Sequence, residues 1–237
     1  MRKKRLTTSL LLCCAASVSC ANRPVRLATP CALAEPQLRA AWQELNEALQ
    51  TPGGCEAEHG LRCETIRARI ERLSIDCPNQ PDLVMANALL AFEARNFARA
   101  QQLLDELSGL QVSYPEAAVL RARIALEQGN LLFALRYLDQ QIRQTGDDPA
   151  LREVYASALY LTGRWDEARE QLLTAQRLGA PAWRVDFGRG LIEEARGMYE
   201  AARQLYETAL RSRPGWKVAE SRIRALVASG KVPSEAK

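Results

Sequence analysis

Gly163-Arg164-Trp165-Asp166-Glu167-Ala168 decides the fold, because its glycine, its aromatic residue and its alanine all recur at one interval along the chain. The alanine returns as Ala100, Ala134, Ala168 and Ala202, spaced 34 residues apart each time. Three positions earlier stand the bulky Phe97, Leu131, Trp165 and Tyr199, and two further back Arg95, Gly129, Gly163 and Gly197 mark a turn. A small residue recurs upstream as Ala88, Ala122, Ala156 and Gly190, and a large one downstream as Leu104, Leu138, Leu172 and Tyr206. One period runs through every register without a gap.

A repeat of this length is the signature of a helix-turn-helix solenoid, in which no unit can bury its apolar face alone. Glycine permits the positive φ of a tight turn, and small side chains let helix backbones approach. The sequence resembles the tetratricopeptide repeat (TPR) family, whose pattern of Trp-x2-Leu-Gly-x2-Tyr, then Ala-x3-Phe, then Ala and Pro is best matched by residues 149–182. That resemblance implies an all-α fold, a right-handed α-solenoid of helix-turn-helix repeats with a C-terminal capping helix. Four regular repeats are expected at 81–114, 115–148, 149–182 and 183–216, with Pro81, Pro115 and Pro149 opening the first three at a position where a missing N–H costs nothing. The last repeat fits least well: Asp186, Arg189 and Glu193 take apolar positions, so its first helix is expected to rotate and bury Val185, Phe187, Leu191 and Ile192. Residues 217–237 read as a capping helix and a loose tail, with Val218, Ile223, Leu226 and Val227 hiding the final apolar face.

Residues 1–19 read as an export signal: Arg2, Lys3, Lys4 and Arg5 precede an apolar run, Leu6 to Val18, too short for a stop-transfer helix. The 32 Lys+Arg, less these four, balance the 28 Asp+Glu. A neutral mature surface argues against nucleic acid or anionic headgroups as the main partner. Ser17-Val18-Ser19-Cys20 looks like a bacterial lipobox, which implies lipidation of Cys20. Ordinary signal-peptidase cleavage near Ser19 fits the small-x-small rule as well, but it leaves five cysteines, whereas a lipidated Cys20 leaves an even set. The expectation is an exported, periplasmic chain, lipid-anchored to the outer membrane, with a flexible tether over 20–36.

Residues 37–80 form a divergent repeat with a loop insertion, Thr51 to Gly60, between its helices. Cys63 and Cys77 sit at opposite ends of one predicted helix, ~21 Å apart, too far to bridge. An antiparallel helix pair brings Cys31 to Cys77 and Cys55 to Cys63, and these two disulfides are expected in an oxidising compartment. Zinc is the rival use of the four cysteines, but no Cys-x2-Cys knuckle occurs. His59, the chain's one histidine, lies in the loop beside Glu56 and Glu58 without a second histidine, and a solvated loop is the simpler reading of it than a metal site.

Without a second histidine or a free thiol, nucleophile-base pairs cannot be assembled, and no phosphate loop or dinucleotide fingerprint appears. No catalytic residue, metal, cofactor or small-molecule substrate is expected. By resemblance, the first helices of successive repeats line a concave groove for a protein or peptide, and the facing residues are Met85, Leu89, Phe92, Val119, Arg123, Leu126, Glu153, Ser157, Tyr160, Phe187 and Leu191. That groove reads as mostly apolar with an isolated Arg and Glu, though several of these residues could instead pack between repeats. The membrane would be touched only through the N-terminal lipid. The leading expectation is a non-catalytic scaffold assisting assembly of a pilus, secretion or outer-membrane complex. The alternative is an adaptor or regulator of peptidoglycan-remodelling enzymes.

Overall fold

The computed structural model describes residues 30–50, 60–110, 114–145 and 148–233. The export signal, Cys20, Cys55, the loop around His59 and residues 234–237 lie outside the described residues. Within them the chain forms helices and no strand: α1 (Pro30–Gln50), α2 (Gly60–Asp76), α3 (Pro81–Glu93), α4 (Phe97–Gly109), α5 (Pro115–Glu127), α6 (Leu131–Thr145), α7 (Pro149–Leu161), α8 (Trp165–Arg177), α9 (Ala182–Ala195), α10 (Tyr199–Ser212) and α11 (Lys217–Ala228). Consecutive helices pair, and each pair stacks on the next. The result is an α-solenoid of five helix pairs closed by α11.

The repeating residues occupy the places that their size demands. Ala100, Ala134, Ala168 and Ala202 have no exposed surface, and Ala88, Ala122 and Ala156 are buried where the two helices of a pair approach. Leu104, Leu138, Leu172 and Tyr206 are buried beside them. The core is therefore a row of clusters rather than one centre. Polar links join neighbouring units: Tyr114 Oη donates to Asp82, and Arg121 pairs with Asp105 at 2.7 Å.

At the turns, Gly129, Gly163 and Gly197 adopt φ of 72°, 75° and 78°, and Arg95 is held at 55° in the equivalent place. A left-handed backbone crowds any Cβ. Gly163→Ala should therefore cost about 1 kcal/mol, while Arg95→Gly, despite losing an exposed pair with Glu127, should leave stability unchanged or raise it slightly. Urea denaturation of both variants checks this, and a clear loss for Arg95→Gly would contradict it.

Three expectations need correction. The tether expected over 20–36 does not extend to its last residues, because α1 already begins at Pro30 and passes through Pro36. Pro36 removes one helix hydrogen bond, but Cys31 is joined to Cys77 at a Cα separation of 5.4 Å, which fixes the start of α1 beside the end of α2. Cys63 is also disulfide-bonded; we propose Cys55 as its partner, and unreduced peptide mapping should recover Cys55 with Cys63, whereas a Cys31–Cys63 peptide would refute the antiparallel argument. Second, α9 keeps the common register instead of rotating to bury Phe187 and Leu191 in place of Asp186, Arg189 and Glu193. Val185 and Ile192 are buried and Phe187 and Leu191 half-buried, yet Asp186 is buried too, 3.5 Å from Arg189. The register is pinned by Gly190, which faces the Tyr206 ring so closely that a Cβ there would lie 2.5 Å from it. Third, Val218 of α11 is exposed while Ala219 and Leu226 are buried, and Val232, beyond the helix, packs into the last cluster. A single short helix covers too little of the Tyr206 face, so part of the expected loose tail folds over it.

Candidate peptide-binding groove

The first helices of successive pairs, α3, α5, α7 and α9, lie side by side. Two adjoining cavities of about 530 Å³ and 710 Å³ open along them, and Arg123, Trp183 and Arg184 border both. Of the residues expected from the sequence, Met85, Leu89 and Val119 line the first cavity; Phe92, Leu126, Glu153, Ser157, Phe187 and Leu191 line the second. Tyr160 lines neither. It lies one turn beyond Ala156 and packs half-buried against the α7–α8 core.

Between the cavities runs a ridge of charge. Arg184 Nε lies 3.2 Å from Glu153 Oε1, and that carboxylate is only 12% exposed. Burial raises the Glu153 carboxyl, opposed by Arg184 and then Arg123. The groove walls crowd the Arg123 side chain although solvent reaches it; desolvation lowers its guanidinium and Arg184 lowers it further, against the pull of Glu153 and Glu93. The expectation of an isolated Arg and Glu on an apolar surface is thus corrected: three arginines, Arg123, Arg184 and Arg213, border the groove.

An aromatic wall closes one end. Trp183 meets Trp216 edge-on at 4.8 Å, Phe187 lies 4.6 Å from Trp216, and Arg213 sits over the Trp183 ring at 4.1 Å. Among the described residues, no three His, Cys, Asp or Glu side chains gather as metal ligands.

The sequence matches the family described as Tetratricopeptide repeat over residues 85–149, 120–182 and 156–216, together more than half of the chain. The chain belongs to the tetratricopeptide repeat family. Solved structures share its fold at low identity. A tetratricopeptide repeat protein from Parabacteroides merdae ATCC 43184 superposes with a TM-score of 0.62 at 18% identity, over 85% of this chain and 86% of that one. The APC/C hetero-tetramer Cut9-Hcn1 gives 0.64 at 15% identity, over 86% of this chain and 43% of that one. Human IFIT1, a dimer with PPP-AAAA, gives 0.58 at 18% identity, over 71% and 42%. No curated protein matches the sequence, and no enzyme family is indicated.

Within this TPR groove, Trp183, Arg184, Arg213 and Trp216 escaped the sequence reading. Trp183 was legible, since it stands one helical turn before Phe187 and two before Leu191. Arg213 and Trp216 carried no such signal, because they belong to the link between α10 and α11, outside the first helices that line a regular array.

Proposed function

We propose that this TPR protein is a non-catalytic protein–protein interaction scaffold of the bacterial cell envelope, assisting assembly of a pilus, secretion or outer-membrane complex. The observation that carries it is the groove along α3, α5, α7 and α9, whose two adjoining cavities offer apolar and aromatic walls of the kind that take an extended peptide or a helix. The envelope part rests on residues 1–19 and on Cys20, whose lipid would hold the chain at the outer membrane.

A photo-crosslinking residue at Ser157, in the groove, should capture a partner protein in cells, whereas the same residue at exposed Glu170 on α8 should not. Equal capture at both positions would sink the groove as the binding surface. The class of captured protein discriminates the reading further: pilus or secretion subunits support it, while wall hydrolases or synthases turn it toward peptidoglycan remodelling. Cys20→Ser should shift the protein from the membrane to the soluble periplasmic fraction. A mature N-terminus starting unmodified at any other residue would end the lipoprotein reading.

A further inference from the structure

The geometry points to an acidic peptide segment as the occupant of this groove, carrying two side-chain carboxylates that dock on Arg123 and Arg213. This inference rests on the scaffold reading above and names the chemistry of its partner. Among the described residues, Arg184 has its carboxylate in Glu153, but neither Arg123 nor Arg213 forms an ion pair. Arg213 is instead held by rings, 4.1 Å above Trp183 and 5.6 Å from Trp216. Stacking fixes the guanidinium plane and leaves its edge N–H groups to fork onto a carboxylate.

Arg184 lies near enough to disfavour the charge on both neighbours, after desolvation by the surrounding walls. An incoming anion relieves that crowding. Two guanidiniums without an ion pair in the cavity that also holds Arg184 call for two carboxylates, so an internal Asp or Glu pair fits better than one chain-terminal carboxylate. Apolar surface from Leu126, Phe187 and Leu191 beside the ridge favours a peptide over a bare anion.

The acidic groups of the groove limit where such a segment can sit. Asp148 is occupied in capping α7, and Glu127 pairs with Arg95. Glu93 and Glu116 stand on α3 and α5 in the first cavity. Arg123 and Arg213 border that same cavity, so the segment is expected to lie across these two guanidiniums toward Trp183 rather than along α3.

The test uses the full chain and a labelled octapeptide of alternating Asp and Leu with an amidated C-terminus, against its Asn-for-Asp counterpart. Fluorescence anisotropy at low salt should give the acidic peptide at least about tenfold tighter binding, lost as salt rises. Arg123→Gln and Arg213→Gln should each weaken it about tenfold, while Arg136→Gln, on the exposed side of α6, should not. Circular dichroism melts confirm that each variant folds, and Arg213→Lys, which keeps charge without the planar fork, should fall between wild type and Arg213→Gln. Equal binding of both peptides, no effect of the arginine substitutions, or no peptide binding at all would overturn the acidic-segment proposal. Displacement of the acidic peptide by low inorganic phosphate, with no preference for Leu-bearing over all-Gly spacing, would reassign the site to a bare anion. The crosslinking contrast between Ser157 and Glu170 is independent of these outcomes, so the scaffold reading stands or falls separately.

Discussion

Ala168→Glu is expected to destabilise the third regular repeat by more than about 4 kcal/mol, through overpacking and through burial of a charge. Ala168 has no exposed surface and belongs to the buried cluster that holds Ala156, Leu159, Leu172 and Ile192. Four added heavy atoms beyond the Cβ have no space there, and a carboxylate would enter a cluster of apolar side chains. Because units couple to their neighbours, the loss should spread through α7–α10 before it reaches the N-terminal pair, where the Cys31–Cys77 bond restrains unfolding. The control lies one residue away. Glu167 is exposed and pairs with Arg164 across one helical turn, so Glu167→Ala should melt close to the wild type. Thermal unfolding followed by circular dichroism decides it; a wild-type melt for Ala168→Glu would show that this alanine is not where the helices cross.

Gly190→Ala is expected to cost about 2–3 kcal/mol, at the upper end of single-methyl overpacking. An added Cβ would lie 2.5 Å and 2.7 Å from two ring carbons of Tyr206. The ring cannot retreat easily: it is fully buried, its hydroxyl donates to Glu194 at 2.7 Å, and it leans on Phe187 at 5.3 Å. Burial, then the Glu194 hydrogen bond, raises the Tyr206 phenol, so it stays a donor at any ordinary pH. Tyr206→Leu should rescue Gly190→Ala in part, because Ala with Leu is the pair that the other repeats use at Ala88 and Leu104, Ala122 and Leu138, and Ala156 and Leu172. A double-mutant cycle should show favourable coupling of about 1–3 kcal/mol. Strictly additive losses would mean that the two residues do not share one space.

These two experiments separate what a linear pattern carries from what it does not. The alanine and leucine registers set the helix pairs, their turns and their buried faces, because each is a local demand of a repeat packing on its neighbours. Tyr206 shows where that logic reaches further than it was taken: an aromatic in a leucine register and a glycine in an alanine register are one compensation, visible in the sequence only as two separate exceptions. Asp186 and Glu193 misled for the same reason, since polarity suggested rotation of α9 while the Gly190–Tyr206 contact, made between helices, held it in register.

By itself the sequence determined the repeat length, the all-α solenoid and most of the groove floor, since residues on first helices at a fixed period must face the same side. Tertiary structure alone decided the charged and aromatic end of the groove. Arg213 and Trp216 reach Trp183 across the α10–α11 link, and the side-chain directions of a non-repeating link follow no period. The ends of the array, α1 with its disulfide and the Val232 segment over Tyr206, were likewise set by contacts with a single neighbour, where nothing repeats and only packing in three dimensions fixes the chain.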